Sequence, residues 1–445
     1  MRPGRVESRK GVAMEQYDSL ITEIARNSVP FSKASDFCPL IEKVKDKRVV
    51  MLGESSHGTH EFYEWRSQIT AELIRHHGFS FIAVEGDWPP CQKVNDFVQH
   101  RTPKSAVEAL SSFSRWPTWM WANQEMLGLM EWLREWNTGR GDPVGFHGLD
   151  VYSLYDSMEE VRAALARLDP KLGKEVEKLY ACFHPYWNNE KAYTRSLFHY
   201  PEGCEGEVEK ALEKILRRNL DRGDAFFDVA QNARIIRNAE RYYHAMINGA
   251  DSWNIRDRHM METLQMLLDH YGAGSKCIIW EHNTHIGDYH ATDMLIHGQV
   301  CLGGLAREIL GEDKVALVGF TTFAGTVTAS NAWDGPAETM TVPRAKPGSL
   351  EAAFHEAIPV VGHENFFVTL DHVDQHSPFM DYRGHRAIGV VYHPAFEKKS
   401  NYVPTKLARR YDAMVFIDET TALTPLDVAA DPSKVPETYP FGSKL

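Results

Sequence analysis

The sequence predicts an α/β fold, a mostly parallel (mixed) sheet flanked by helices, with a helical insertion forming a lid over the strand ends. Three observations predict it. Short apolar runs recur at Val49–Leu52 and at residues 79–84, 144–149, 276–280, 315–320, 366–370, 387–392 and 413–417, with the length of buried strands. The segments between many of them carry apolar residues every three to four positions, as helices do. Polar residues also cluster just after several runs: Glu54 and His57, Glu85 and Asp87, Asp150, then Glu281, His282 and His285. In parallel sheets, ligands bind at those carboxyl ends of strands.

Taken in order, residues 1–14 read as a charged, disordered tail, in which Met14 is a possible natural start. Residues 15–48 hold one helical pattern and lead into the first strand. After that strand comes the turn Gly53-Glu54-Ser55-Ser56-His57, then a helix starting near Thr59. Phe62, Arg66, Ile69 and Leu73 share one face of it, which puts Arg66 among core residues. Gly78 stops the helix, and the second strand delivers Glu85 and Asp87. A region dense in aromatics follows, RWPTWMWANQ, whose Trp116, Trp119 and Trp121 are candidate walls of a substrate site. The third strand ends at Asp150, a further candidate substrate contact.

From residue 151 to residue 271 nearly everything reads helical; Leu154, Met158, Val161, Leu165 and Leu168 set the period. Asn254 and Asp257 look like a variant capping box, and Gly272 ends the helix that starts there. The fourth strand precedes Glu281, and the fifth runs into Thr321 and Thr322. The expected division is therefore a tail (1–14), a first core part (15–150), the insertion (151–271), a second core part (272–345) and a carboxy-terminal α/β part (346–445). Both junctions of the insertion lie beside polar clusters, hence its expected role as a lid.

Composition limits the partners. With 445 residues, 43 % hydrophobic and 25 % charged, the chain is an ordinary globular protein able to bury a large core. A net charge of −12 argues against nucleic acid, since phosphate binding needs a basic surface. The amino terminus lacks an apolar leader and no run of eighteen apolar residues occurs, so a cytoplasmic protein without membrane contact is expected. The six cysteines show no CxxC pair and read as free thiols.

Spacing excludes several chemistries. The first turn fails the GxSxG pattern, no GxxxxGK[ST] loop is present, and Gly272-Ala273-Gly274 precedes a strand instead of following one. Acid/base chemistry or a metal remains. For water-activated hydrolysis an imidazole must be neutral and aimed by a partner; His57 beside Glu54 meets that need, with Arg66 and His285 available for a developing oxyanion. A helix starting at Thr59 favours the neutral ring, while Glu54 favours the charged one. The rival is a metal: His57 with His60, and His282 with His285, are i, i+3 pairs that zinc or manganese could use, although HNTH is not HExxH. The expectation is a mechanism without metal or cofactor, with no role for His60, His76, His77 or His290.

At LGESSHGTHEFY followed by Arg66, at AVEGDWP around Glu85 and at WEHNTHIGD around His282, the chain resembles the erythromycin esterase family. HGLDVYS, SWNIRDRHM, ALVGFTTFAGTV, RAIGVVYHP and NYVPT extend the likeness across most of the chain. The resemblance implies an α/β core with a helical insertion and hydrolysis of a macrolide lactone, or another ester, without a covalent intermediate. It places the general base on His57, its paired acid on Glu54, the arginine on Arg66, the second glutamate on Glu85 and two late histidines on His282 and His285. It implies a small-molecule substrate. Some members of the family carry polysaccharide-biosynthesis labels, so a non-catalytic protein binding a polyketide or glycan is the alternative.

Overall fold

Apolar strands alternating with amphipathic helices build two compact units in the computed structural model, which describes residues 4–219, 224–248, 251–370 and 373–436. One unit comprises Met1–Ser80 and Ser275–Thr424; the other comprises Phe81–Gly274 and Pro425–Leu445. The strands, in chain order, are β1 (Ser28–Pro30), β2 (Val49–Leu52), β3 (Phe81–Asp87), β4 (Gly145–Asp150), β5 (Cys277–Trp280) and β6 (Val315–Ala329). They continue with β7 (Glu338–Val342), β8 (Asn365–Thr369), β9 (Tyr382–Arg386), β10 (Tyr402–Lys406) and β11 (Ala413–Thr420).

The first unit holds a mixed sheet in the order β1, β8, β11, β6, β2, β5, with β7 against β6. β2 is parallel to both β5 and β6. β11 is parallel to β6 and antiparallel to β8. A strand flanked on both edges and covered on both faces must be apolar throughout, which is why β2 reads VVML and is wholly buried. Each such side chain contributes about 1.5–3 kcal/mol by leaving water. The register sets Leu52 beside Trp280. Gly53-Glu54 and Glu281-His282 therefore leave the sheet side by side.

The helix His60–His77 follows β2. Thr59 occupies its N-cap, and Gly78, at φ 71°, closes it in the left-handed conformation a side chain would resist. Its buried face carries Phe62, Arg66, Ile69 and Leu73, as the spacing predicts. The first helix, Gly4–Asn27, begins within the stretch expected to be a tail, and residues 1–3 lie outside the described ones.

One expected strand is absent. Residues 387–392 are buried at Ile388, Val390 and Tyr392, but their backbone makes isolated bridges, Ser56 with Ile388 and Ser330 with Val391. The apolar pattern there comes from packing on Val327, Ala329, Met340 and Val342. The flanking segments, β9 and β10, pair antiparallel instead.

In the second unit β3 and β4 are parallel. The helices of residues 151–271 surround a core of their own that includes Val151, Tyr155, Met158, Val161 and Leu165. The last of them starts at Ser252, one turn earlier than Asn254 suggests: Asp251 is the cap and accepts from the Asn254 N–H. Gly272 ends it as expected. The thiol expectation fails for one pair, because Cys182 and Cys204 form a disulfide, their Cα atoms 6.1 Å apart. Helix packing brings them together across 22 residues, which no short spacing motif encodes. Among the described residues no helix is long and apolar enough to cross a membrane.

His147 on β4 gives this unit a pH dependence. Its Nε2 lies 2.8 Å from the Tyr271 hydroxyl, and its ring stacks on Trp88. Burial pushes the ring down to about 3, helped by His270 and Arg101. A group held neutral in this way stabilises the fold fully above its ordinary value near 6.5, and that contribution is lost as pH falls toward the folded value. In urea unfolding, the protein is expected to lose stability relative to His147→Gln by about 1.4 kcal/mol per pH unit below 6.5. A difference that stays constant down to pH 4 would show that His147 titrates normally.

Candidate active site

The turn after β2 is shaped by close approaches. A Cβ on Gly58 would meet the Thr328 carbonyl oxygen at 1.8 Å, and that backbone contact is in use: the Thr328 and Leu423 N–H groups both donate to the Gly58 carbonyl. The turn is thereby held with His57 and Glu54 on the same side. His57 Nδ1 lies 3.0 Å from Glu54 Oε1, and both residues are buried. A carboxylate only accepts, so Nδ1 carries the proton and the Nε2 of a neutral His57 is an acceptor. That is the tautomer a general base needs.

Glu54 is aimed in turn by Arg66. Arg66 Nη2 donates to Glu54 Oε2, and its Nε donates to the Phe62 carbonyl at 3.2 Å. The guanidinium lies 4.6 Å from the Tyr63 ring centroid and 4.5 Å from that of Trp280, whose Nε1 donates to Thr70 at 3.1 Å. Arg66 is thus fully buried and bonded to Glu54, the carboxylate that it holds toward His57.

His282 enters from β5. It is the N-cap of the one-turn helix Asn283–Ile286, and its Nδ1 accepts from the Thr284 N–H at 3.2 Å, with the Thr284 hydroxyl 2.7 Å away. With Nδ1 accepting, a neutral His282 carries its proton on Nε2. Its ring centroid is 4.8 Å from that of His57. The two rings thus have complementary tautomers, one accepting through Nε2 and one donating through it. His285 is buried on the same turn, and Glu281 is buried at the end of β5. Among the described residues no group of three or more His, Cys, Asp or Glu side chains is placed to hold a metal ion.

In the second unit, the polar residues at the ends of β3 and β4 are engaged by arginines that sequence reasoning missed. Arg256 donates to Asp150 through Nε at 2.9 Å and Nη2 at 2.6 Å, and to Glu85 Oε1 at 2.7 Å. Asp150 also accepts from the Val151 N–H at 2.8 Å. Asp150 is fully buried, and its carboxylate is engaged by Arg256 and by the backbone. Arg115 likewise bridges Asp87 and Glu190, each at 2.6 Å. Trp116, Trp119 and Trp121 are all buried, and the Trp121 Nε1 donates to the Glu85 carbonyl at 2.8 Å. All three pack within the second unit, and Trp121 also lines a small cavity there with Asp87, Arg115 and Pro117. The signal for Arg256 was present in SWNIRDRHM, but nothing local assigned its partners.

Comparison with known proteins gives consistent results. A family model described as erythromycin esterase matches residues 74–420. Erythromycin esterase type II of Escherichia coli is 23 % identical over 326 residues, 67 % of this chain and 75 % of that protein. A crystal structure of a succinoglycan biosynthesis protein has a TM-score of 0.75 at 19 % identity, covering 92 % of this chain and 98 % of the other. A mutant of the erythromycin esterase EreC, in its open conformation, has a TM-score of 0.62 at 16 % identity, covering 91 % and 97 %. At these identities the structural likeness is one of fold.

Proposed function

The chain belongs to the erythromycin esterase family, and from that premise we propose that it hydrolyses a carboxylic ester or macrocyclic lactone with a water activated by His57. The observation that carries the proposal is the ordered set Arg66, Glu54, His57, in which each group fixes the next. In the reaction, His57 Nε2 takes a proton from water as the oxygen forms a bond to the ester carbonyl carbon. The carbonyl electron pair moves to oxygen, and the Nε2–H of His282 donates to that oxyanion. Collapse breaks the bond to the alkoxy oxygen, which leaves with the proton from His57. Glu54 holds the imidazolium that exists between the two transfers. His285, on the same turn as His282, completes the proposed set on the strength of the family motifs, which also assign a role to Glu85.

The name of the Escherichia coli relative supports a macrolide as one substrate to try. On this reading the partner is a small molecule, and neither nucleic acid nor membrane takes part. The test is to incubate the protein with macrocyclic lactones and aryl esters and weigh the products. The expected result is a lactone that gains one water, or an aryl ester that splits into an acid and a phenol together one water heavier. Ligands that bind and return unchanged would favour a carrier of polyketides or glycans instead.

A further inference from the structure

Asn283, next to His282, links several elements of the first unit. Its backbone N–H donates to the Glu54 carbonyl at 2.8 Å, and its Nδ2 donates to the Phe320 carbonyl at 2.8 Å. A Cβ on Gly53 would sit 2.1 Å from its Oδ1, so β2 can approach this closely only through glycine. The same Nδ2 lies 3.3 Å from His385 Nε2. On the other side of that ring, His385 Nδ1 is 2.7 Å from Glu351 Oε1. This carboxylate oxygen also accepts from the Thr321 hydroxyl and the Arg386 N–H, both at 3.0 Å.

All three side chains are buried. Glu351 can only accept, so His385 carries its proton on Nδ1 and its Nε2 accepts from Asn283. Donation therefore runs one way, from Asn283 to His385 to Glu351. The donors on Glu351 hold its carboxyl down at about 2, against the opposing effect of burial. Burying an imidazole and a carboxylate costs desolvation that two apolar residues of similar volume would avoid. What the polar pair supplies, and apolar residues cannot, is a directed acceptor for the Asn283 amide.

We propose that His385 and Glu351 are positioning residues for the hydrolytic site: they orient Asn283, and through it hold the His282–His285 turn in register with Glu54. The proposal rests on the hydrolytic reading above only for its kinetic arm. Two substitutions separate positioning from structural support. Gln places an amide oxygen near the position of Nε2, so His385→Gln keeps an acceptor for Asn283. Asn places its amide near Nδ1, so His385→Asn keeps a donor for Glu351 and loses that acceptor.

With a confirmed substrate, His385→Asn is expected to lose about 10- to 100-fold in kcat with little change in KM, while His385→Gln stays within a few-fold of wild type. Independently of turnover, the imidazole nitrogen resonances of His282 should move in His385→Asn and stay near their wild-type positions in His385→Gln. Equal losses of kcat in the two variants, or unmoved His282 signals in His385→Asn, would overturn the proposal. Should His385→Asn fail to fold, Asn283→Ser removes the same hydrogen bond from its other end and carries the same expectations. If the wild type hydrolyses nothing, the hydrolytic reading fails by itself and the ring signals decide the positioning role.

Discussion

Replacing His57 by Asn is expected to lower kcat by about 10²- to 10⁴-fold, the usual worth of general-base assistance, while substrate still binds. Asn keeps a hydrogen-bonding group against Glu54 but has no basic nitrogen for the water. Glu54→Gln should lower kcat less, because Glu54 acts on the ring and not on the water. It also removes the charge that balances the buried Arg66, so melting curves must accompany both rate measurements. A folded His57→Asn protein that turns over within a few-fold of wild type would move the base elsewhere, with His285 the next candidate.

The largest expected loss of stability belongs to Arg256→Met. Arg256 is shared by two buried carboxylates, Glu85 and Asp150. Removing one member of a buried ionic set costs about 3–5 kcal/mol, because charge stays in a medium that solvates it poorly. Met retains much of the side-chain volume, so little of the loss would come from a cavity. In denaturant unfolding, the triple change Glu85→Gln, Asp150→Asn, Arg256→Met should recover most of that loss. If Arg256→Met alone unfolds within about 1 kcal/mol of wild type, the network contributes at the level of a surface ion pair.

What the sequence reveals depends on how far apart the interacting residues are. β2 and the turn after it are legible because four apolar residues, a glycine and a helix start lie in one short stretch. The helical period places Arg66 on the buried face, but its bond to Glu54, twelve residues earlier, depends on how the helix docks on the sheet. Arg256 is 171 residues from Glu85 and 106 from Asp150, so no local rule connects them. The same applies to the disulfide between Cys182 and Cys204 and to the Glu351–His385 pair. Residues 387–392 were legible as apolar, but burial of a segment does not determine whether its backbone finds a continuous partner strand.

On the proposed mechanism, water activated by His57 attacks the ester directly. Its sharpest test is to quench the wild-type protein in acid during steady turnover of a confirmed ester and weigh protein and product together. The expected result is protein of unmodified mass beside products that together weigh one water more than the substrate. Protein heavier by the acyl group, appearing and decaying at rates that match kcat, would contradict it, because the attacking atom would then belong to a side chain and not to water.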